Sequence, residues 1–190
     1  MLSFYSDQEL KILGFKSYGS NVLISKKASI YSPDLISVGN NVRIDDFCIL
    51  SGHITMGSNI HVSAYCALYG KYGIFLDDFV TVSGKNMIYS ATDDYSGEYL
   101  TNPTIPKKYT NVSGGEVILK KHSIVGAGCV LLPNITLREG TAIGAMSLVN
   151  KSTDEWSIYA GIPIHKLKDR RKDLLLLEEK FKNNNILEKS

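Results

Sequence analysis

An aliphatic side chain recurs at every sixth position through most of the chain. Unbroken series cover Val38–Ile74, Leu76–Ile88 after a slip of two residues, and Leu119–Val149, while Ile24 and Ile30 start the pattern. Side-chain directions repeat every 3.6 residues in a helix and every two in a strand, so neither explains a period of six. The pattern predicts an all-β solenoid, in which each hexad forms one short strand and one corner and three hexads make a triangular coil.

A second position, four residues after the aliphatic one, also points inward and carries small side chains. Since a corner leaves little room, these residues are expected to fill the core rather than to bind or react. Turn-forming residues such as Gly39-Asn40-Asn41 lie between the inward positions. About seventeen hexads fit, which predicts nearly six coils of a parallel β-helix. The small inward residues are Cys48, Cys66, Ser123, Cys129, Thr141 and Ser147.

A short helix is predicted to close the first coil. Ser6 and Glu9 have the spacing of a capping box, and Leu10, Leu13 and Phe15 follow as an apolar surface. Such a cap is needed because a bare solenoid end exposes strand edges and core.

A second helix is predicted over residues 169–182, where four consecutive leucines and Phe181 lie among charges. This helix either caps the last coil or contacts a partner chain, and residues 183–190 form a loose tail. The expected organisation is a helical cap over 1–20, a β-helix over 21–168 and a C-terminal helix and tail over 169–190.

The repeat stops between Ile88 and Val117, which predicts an excursion loop over residues 89–116. This segment is polar and contains two adjacent carboxylates, Asp93 and Asp94. Long loops that leave a regular scaffold commonly carry function. Tyrosines combine a flat apolar face with a hydroxyl group, which suits a sugar ring. The candidate substrate-binding residues are Tyr89, Tyr95 and Tyr99.

Composition excludes several classes of protein. The formal net charge is +2, so no strong attraction to nucleic acid or to an anionic membrane is expected. No apolar run is long enough to span a bilayer, and the first ten residues lack the apolar core of a signal peptide. Three cysteines, an odd number, favour reduced thiols and a cytoplasmic location.

The hexad pattern, the loop, the run Ile143–Lys151 and the ending Tyr159-Ala-Gly-Ile-Pro163 together resemble the hexapeptide-repeat acetyltransferases. The chain is similar to galactoside and maltose O-acetyltransferases and to sugar acetyltransferases of surface-polysaccharide pathways. The resemblance implies a left-handed β-helix and a homotrimer, with acetyl-CoA in the groove between two chains. It also implies acetyl transfer to a hydroxyl or amino group of a sugar or nucleotide-linked sugar, in O-antigen or capsule biosynthesis.

The same resemblance assigns cofactor-binding positions. Ala127 and Ala145 match residues beside the pantetheine arm, and Gly161 and Pro163 match a turn near the adenine. A basic concentration of Lys151, Lys166, Lys168, Arg170 and Arg171 supports the placement, because charge-assisted contacts favour the phosphates of CoA. His165 occupies a slot that is basic in the relatives. The remaining assigned residues are Asn150 and Lys151, which follow the penultimate hexad, and Lys168, near the CoA phosphates.

The catalytic base is an open question at this stage. Relatives carry a histidine in the excursion loop, whereas Asp93 stands at that position here. One interpretation makes Asp93 or Asp94 the base, with a pKa raised by burial and by the neighbouring carboxylate. A second takes His53 or His61 from a neighbouring chain, and a third makes the acceptor an amine, which needs less assistance.

Other functions on this scaffold explain less. A γ-class carbonic anhydrase needs converging histidines with a five-residue spacing, which this chain lacks, so no metal is expected. A non-catalytic binding solenoid leaves the loop and the basic end unexplained. A xenobiotic acetyltransferase, with an antibiotic as acceptor, stays open as an alternative.

Overall fold

The computed structural model describes residues 3–187 and shows the parallel β-helix that the repeat predicts, with the left hand that the resemblance implies. It has about seven coils, whereas the count of hexads predicts nearly six. Its regular structure contains twenty short strands, two α-helices, α1 (Asp7–Leu13) and α2 (Leu174–Leu187), and two 3-10 helices, Pro33–Leu35 and Lys107–Tyr109. The strands are β1 (Ser17–Tyr18), β2 (Val22–Ile24), β3 (Ser29–Tyr31), β4 (Ile36–Val38), β5 (Val42–Ile44), β6 (Ile49–Met56), β7 (Ile60–Val62), β8 (Ala67–Leu76), β9 (Thr81–Val82), β10 (Met87–Tyr89), β11 (Ala91–Thr92), β12 (Ser113–Gly114), β13 (Val117–Leu119), β14 (Ile124–Val125), β15 (Val130–Leu131), β16 (Ile135–Leu137), β17 (Ala142–Ile143), β18 (Leu148–Val149), β19 (Ser157–Ala160) and β20 (His165–Asp169).

Three faces of stacked parallel strands surround the core. Face 1 contains β1, β4, the second halves of β6 and β8, and then β13 and β16. Face 2 stacks β2, β5, β7, β9, β14, β17 and β19, with β20 antiparallel at its end. Face 3 contains β3, the first halves of β6 and β8, and then β10, β15 and β18. We call the corner between faces 1 and 2 corner 1, that between faces 2 and 3 corner 2, and that between faces 3 and 1 corner 3.

The slip in the repeat lies earlier than the sequence pattern places it. Ile74 pairs with Ile54, and Leu76 pairs with Met56. Leu76 therefore holds the hexad position, and Ile74 is a second inward residue on the same strand. The two extra residues are Lys71 and Tyr72, which bulge out at corner 3. Because Ile74 and Leu76 are both buried aliphatic side chains, the pattern alone does not distinguish them.

The small inward position behaves as predicted. Every residue assigned to it is buried, and the three cysteines are free thiols. The column also contains Asn86, whose amide donates to the carbonyl oxygen of Ser83 (2.7 Å) and accepts from the backbone N–H of Cys129 (2.6 Å). A buried amide is stable only when its polar atoms are paired, and these two bonds meet that need.

Corners 1 and 2 both require a residue with positive φ in each coil, but they fill this position differently. At corner 1, Asn21, Asn41 and Asn59 occupy it in the first three coils, where each amide hydrogen-bonds to the next. In the later coils the same position holds Phe79, His122, Gly140 and Trp156. Asparagine tolerates this conformation, whereas other side chains with a Cβ cost about 1–2 kcal/mol there. At corner 2 the residues with positive φ are Phe47, Tyr65, Lys85, Gly128 and Met146.

The N-terminal cap has the predicted form. Ser6 caps α1, its hydroxyl accepts from the backbone N–H of Glu9, and the Glu9 carboxylate accepts from the backbone N–H of Ser6. Leu10 is buried in the solenoid core, and Leu13 and Phe15 pack against it. The first coil is thereby closed by apolar side chains.

The C-terminal segment differs from the expectation. Residues 165–169 form β20, so α2 begins at Leu174 rather than at 169, and it continues through residues 183–187, which were expected to form a tail. Residues 1–2 and 188–190, at the two ends of the predicted cap and tail, lie outside the described residues. The helix packs against the side of its own β-helix, where Phe181 contacts Phe79 edge to face.

A buried carboxylate holds α2 in place. The side chain of Glu178 is 8% exposed, and its carboxylate contacts the side-chain nitrogens of Lys121 (2.6 Å), Lys182 (2.6 Å) and His122 (2.7 Å). Burial alone would raise the pKa of Glu178, but hydrogen bonds from Lys121, Lys182 and His122 lower it from 4.5 to about 2. A pKa lowered on folding means that the charged carboxylate stabilises the folded state.

We expect Glu178→Gln to lower the free energy of unfolding by about 1–3 kcal/mol at pH 7, because charged hydrogen bonds are lost. This stabilisation is complete above pH 4.5 and is lost as the pH falls from 4.5 towards 2, so the difference from wild type should shrink over that range. Urea denaturation at several pH values measures it. Glu179→Gln, an exposed change on the same helix, is the control; an equal loss there would contradict the assignment.

Candidate active site

The excursion loop leaves the solenoid at corner 3 and returns through a narrow neck. Strands β11 and β12 pair antiparallel at this neck, and the backbone N–H of Gly115 donates to the carbonyl oxygen of Ser90 (3.0 Å). Ser90 is fully buried, and its hydroxyl donates to the carbonyl oxygen of Tyr69 (3.0 Å). The base of the loop is therefore attached to face 3 by hydrogen bonds.

The two-residue insertion in β8 supports this neck. The backbone N–H of Tyr72 donates to the hydroxyl of Ser90 (2.8 Å), and the Tyr72 hydroxyl donates to the carbonyl oxygen of Val112 (3.0 Å). A Cβ on Gly114 would clash with the Ser90 carbonyl oxygen and approach the Tyr72 ring to 2.8 Å. The slip in the hexad register thus marks the residues that hold the loop, a role the sequence pattern did not reveal.

A cavity of about 480 Å³ lies between the loop and face 3. Asp93 is its carboxylate, and the lining residues, all within the described range, include no histidine. Val130 begins β15 on face 3, and Leu132 and Pro133 follow that strand towards corner 3, so the cavity lies over face 3 on the side where the loop leaves. The other lining residues are Tyr89, Ala91, Thr92, Tyr95, Leu132 and Pro133.

The two adjacent carboxylates have different surroundings. Asp94 accepts hydrogen bonds from the hydroxyl of Ser96 (2.8 Å) and the backbone N–H of Gly97 (3.1 Å), which close a turn in the loop. Asp93 lines the cavity instead. The structure therefore brings Asp93, and not Asp94, to the candidate site.

Two of the three predicted tyrosines reach the cavity. Tyr89 stacks on Tyr69 with ring centroids 5.2 Å apart, and burial, together with the neighbouring Tyr69 and Tyr95, raises the pKa of Tyr89. Tyr95 lines the cavity with its ring almost fully exposed. Tyr99 lies farther along the loop, outside the cavity lining. An apolar, aromatic wall opposite one carboxylate suits a polar ring with an amino or hydroxyl group.

Three of the predicted cofactor residues form one column at corner 2. The backbone N–H of Met146 donates to the carbonyl oxygen of Ala127 (2.8 Å), and that of Leu148 donates to the carbonyl oxygen of Gly161 (2.9 Å), so Ala127, Ala145 and Gly161 follow one another along the corner. Their small side chains leave the backbone accessible beside the exposed side chain of Met146, which suits an extended chain such as pantetheine. Pro163, in the β19–β20 turn, follows a cis peptide bond.

The predicted basic cluster is dispersed. Arg170 donates to the carbonyl oxygens of His122 (2.8 Å) and Gly140 (3.0 Å), and burial lowers the pKa of Arg170. It therefore fastens the C-terminal segment and is not available for a ligand. Lys166 forms an ion pair with Asp169 (2.8 Å), and Arg171 pairs with Asp173.

Lys151 and Lys168 keep free ammonium groups. Within the described residues, no carboxylate lies at ion-pair distance from either of them. Asn150 and Lys151 follow β18 at corner 3, and Lys168 lies on β20 opposite Ile158. Lys151 therefore belongs to a different corner from the Ala127–Ala145–Gly161 column, and Lys168 to the antiparallel strand at the end of face 2.

The histidines lie away from the cavity. His61, on face 2, contacts Asp45 (2.8 Å), which also binds Arg43. Burial opposes ionisation of Asp45, but the hydrogen bonds from Arg43 and His61 hold its pKa below the ordinary value. His122 is buried beneath α2, and His53 and His165 are exposed.

The described residues contain no group of three or more His, Cys, Asp or Glu side chains placed to hold a metal ion. Among them, no helix is long and apolar enough to cross a membrane.

Comparison with known proteins decides the family. No family model matches the chain. The dTDP-4-amino-4,6-dideoxy-D-glucose acyltransferase of Escherichia coli is 43% identical over 188 residues, which cover 97% of this chain and 98% of that protein. The chain belongs to the hexapeptide-repeat sugar acyltransferases.

Solved structures agree with this assignment of the acyltransferase. A variant of AntD, an N-acyltransferase from Bacillus cereus, matches with a TM-score of 0.94 and 55% identity, covering 97% of this chain and 99% of that one. It holds dTDP-4-amino-4,6-dideoxyglucose and coenzyme A, and another AntD structure holds dTDP and 3-hydroxybutyryl-CoA. A maltose O-acetyltransferase from Clostridium difficile, 21% identical with a TM-score of 0.55 and covering 87% of this chain and 75% of that one, shows the same fold.

The resemblance inferred from the hexads and the Tyr159–Pro163 ending is thus confirmed for this acyltransferase. An acyl-CoA is its donor, and a non-catalytic binding solenoid is excluded.

Proposed function

We propose that this acyltransferase moves an acyl group from acyl-CoA to the amino group of a dTDP-linked 4-amino-4,6-dideoxysugar. The observation that supports this most directly is the 43% identity, along nearly the whole chain, to an enzyme named for that acceptor. The cavity beneath the loop supports it too, because aromatic rings and one carboxylate face a space about the size of a sugar.

An amine acceptor fits a loop without histidine. The neutral amine already has a lone pair, so it attacks the thioester carbonyl carbon without prior removal of a proton. A C–N bond then forms, the C–S bond breaks, the amine nitrogen loses one proton and CoA leaves as the thiol. A hydroxyl acceptor needs a stronger base at the moment of attack.

Asp93 is the residue proposed to act on the amine. Its carboxylate accepts a hydrogen bond from the amino group, directs the lone pair towards the thioester and receives or relays the proton. Asp94 is assigned to the turn of the loop, and His53 and His61 of a neighbouring chain remain alternatives as the base.

The proposal also concerns which acyl group is transferred and in which pathway the product is used. Acetyl is the group expected from the sequence, while AntD binds 3-hydroxybutyryl-CoA, so both donors belong in any assay. A role in surface-polysaccharide biosynthesis suits a nucleotide-linked amino sugar. The three free, buried cysteines support a reducing, cytoplasmic location.

A homotrimer completes the proposed site. The column Ala127–Ala145–Gly161 suits the pantetheine arm, but Lys151 and Lys168 lie on other faces of the same chain. A neighbouring chain packed across corner 2 closes the groove and supplies cations for the CoA phosphates. The donor site is therefore proposed to be shared between two chains.

The proposed reaction is tested by release of free CoA from acetyl-CoA or 3-hydroxybutyryl-CoA. We expect rapid release with dTDP-4-amino-4,6-dideoxyglucose and little with dTDP-glucose, which has a hydroxyl at C4, since the site is proposed to act on an amine. Simple glycosides and chloramphenicol complete the panel. Comparable rates with dTDP-glucose, or turnover with chloramphenicol alone, would refute the proposal.

We expect Asp93→Asn to lower kcat by about 10²–10⁴-fold, the usual contribution of a general base, and to leave Tm nearly unchanged. The amide keeps the shape of the carboxylate but cannot take a proton. Steady-state kinetics with the amino sugar measures this effect. Asp94→Asn is the comparison and should be milder, because Asp94 is occupied in a turn. Near-normal turnover in both variants would assign both carboxylates to structure.

Changing Lys151 or Lys168 to Ala should raise KM for acyl-CoA, with a smaller effect on kcat. The binding free energy of acyl-CoA should weaken by roughly 1–3 kcal/mol for each charged hydrogen bond that is lost. Phosphate contacts bind the ground and transition states alike, which explains the difference. Acyl-pantetheine lacks the nucleotide phosphates, so its KM should change little. Lys180→Ala, an exposed change on α2, is the control, and equal losses with both donors would show that the lysines do not bind phosphate.

A further inference from the structure

Corner 2 carries large side chains where the backbone favours asparagine or glycine. Phe47 has φ of 60° and Tyr65 has φ of 63°, although the equivalent position of corner 1 is asparagine in the first three coils. Both aromatic rings are also exposed, by 48% for Phe47 and 57% for Tyr65. An exposed aromatic ring in a strained conformation adds nothing to the core, so its place is explained by something that it contacts.

The two rings form a platform on consecutive coils. Their centroids lie 5.0 Å apart with an interplanar angle of 24°. The Nζ atom of Lys27 lies 5.4 Å from the Phe47 centroid on one side and pairs with Asp46 at 2.8 Å. The charge of Lys27 is therefore balanced, and the outer surface of the pair is apolar and aromatic.

The next residue along this corner is a cation without a partner. Lys85 also has positive φ, and its backbone N–H donates to the carbonyl oxygen of Ala64 (3.0 Å), which places it one coil beyond Tyr65. Its side chain is exposed, and within the described residues no carboxylate lies at ion-pair distance from it. Beyond it lie Ala127 and Gly128, where the donor column begins.

Lys85 also connects the platform to the cavity. Strand β10 starts at Met87, and Tyr89 at its end lines the cavity. At a strand rise of about 3.3 Å per residue, four extended residues would span about 13 Å, and the chain turns at Lys85, so the backbones of Lys85 and Tyr89 lie less than about 13 Å apart. A molecule that touches the platform, Lys85 and the cavity is therefore elongated, with a planar ring, an anion in the middle and a polar ring at its end.

We infer that the Phe47–Tyr65 platform and Lys85 hold the nucleoside diphosphate part of the acceptor, with the base against the aromatic pair and the diphosphate at Lys85. This inference rests on the proposed function. It divides corner 2 between the substrates: the donor takes the half with Ala127, Ala145 and Gly161, and the acceptor takes the half with the aromatic pair. A protein contact would explain the rings but leave Lys85 unpaired, whereas a nucleoside diphosphate accounts for both.

The test is calorimetric titration of the full-length protein with dTDP and with thymidine. Tyr65→Asn removes the ring but places a residue that accepts positive φ, so the corner is expected to keep its form. Loss of base stacking should raise Kd for dTDP by about 10-fold or more. Lys85→Asn should raise Kd for dTDP but not for thymidine, which has no phosphate. Tyr31→Asn, at an exposed tyrosine outside corner 2, should bind dTDP as the wild type does.

The outcomes separate this inference from the proposed function. If Tyr65→Asn and Lys85→Asn bind dTDP like the wild type while the wild type acylates the amino sugar, the inference is wrong and the function stands. If the wild type neither binds dTDP nor acylates the amino sugar, the proposed function fails. Light scattering on the same samples measures the number of chains in the assembly, for which three are expected, and shows whether a variant has dissociated. A Tyr65→Asn variant that loses dTDP only because the chains separate would assign the platform to subunit contact and overturn the inference.

Discussion

The hydrogen bonds between successive coils constrain everything else in this molecule. Each strand pairs in register with the strand of the next coil, as in Ile44 with Val62 and Val62 with Val82. A residue added within a strand would move the inward side chains of that coil to the outside. Extra residues are therefore accommodated at corners. All three insertions leave at corner 3: two extra residues within segment 32–35, Lys71–Tyr72, and the excursion loop. The candidate acceptor cavity therefore lies where the stacking permits a long segment to depart.

The coil interrupted by the loop has its own means of staying closed. Val82 and Val125 pair on face 2 in adjacent coils, although the excursion loop separates them in sequence. Asn86, at the small inward position of the coil before the loop, accepts from the backbone N–H of Cys129 in the coil after it. A cysteine at position 86 would fill the volume but would not provide this carbonyl acceptor. The polar residue thus stands where the long connection costs most in chain entropy.

The period of six was enough to predict the solenoid and its small inward column, and the spacing of Ser6 and Glu9 was enough to predict the N-terminal cap, because each follows from local side-chain size and spacing. It did not identify Ile74 as a second inward residue, since aliphatic side chains look alike in sequence. The basic concentration was misread for a related reason: whether Arg170 binds a ligand or the backbone carbonyls of His122 and Gly140 depends on tertiary contacts. Asp93 and Asp94 are likewise distinguished only by the turn that Asp94 closes.

An aspartate in place of a histidine is understandable from the chemistry of the proposed amine acceptor. A hydroxyl group is a weak nucleophile and depends on a base that removes its proton as the bond forms. An amine depends more on being correctly directed towards the thioester, and a carboxylate in an aromatic cavity can direct it by accepting a hydrogen bond. Negative charge beside the amine also favours its ammonium form, however, so one carboxylate suits the site better than two. Because Asp94 closes the turn with Ser96 and Gly97, Asp93 is, among the described residues, the single carboxylate that lines the cavity.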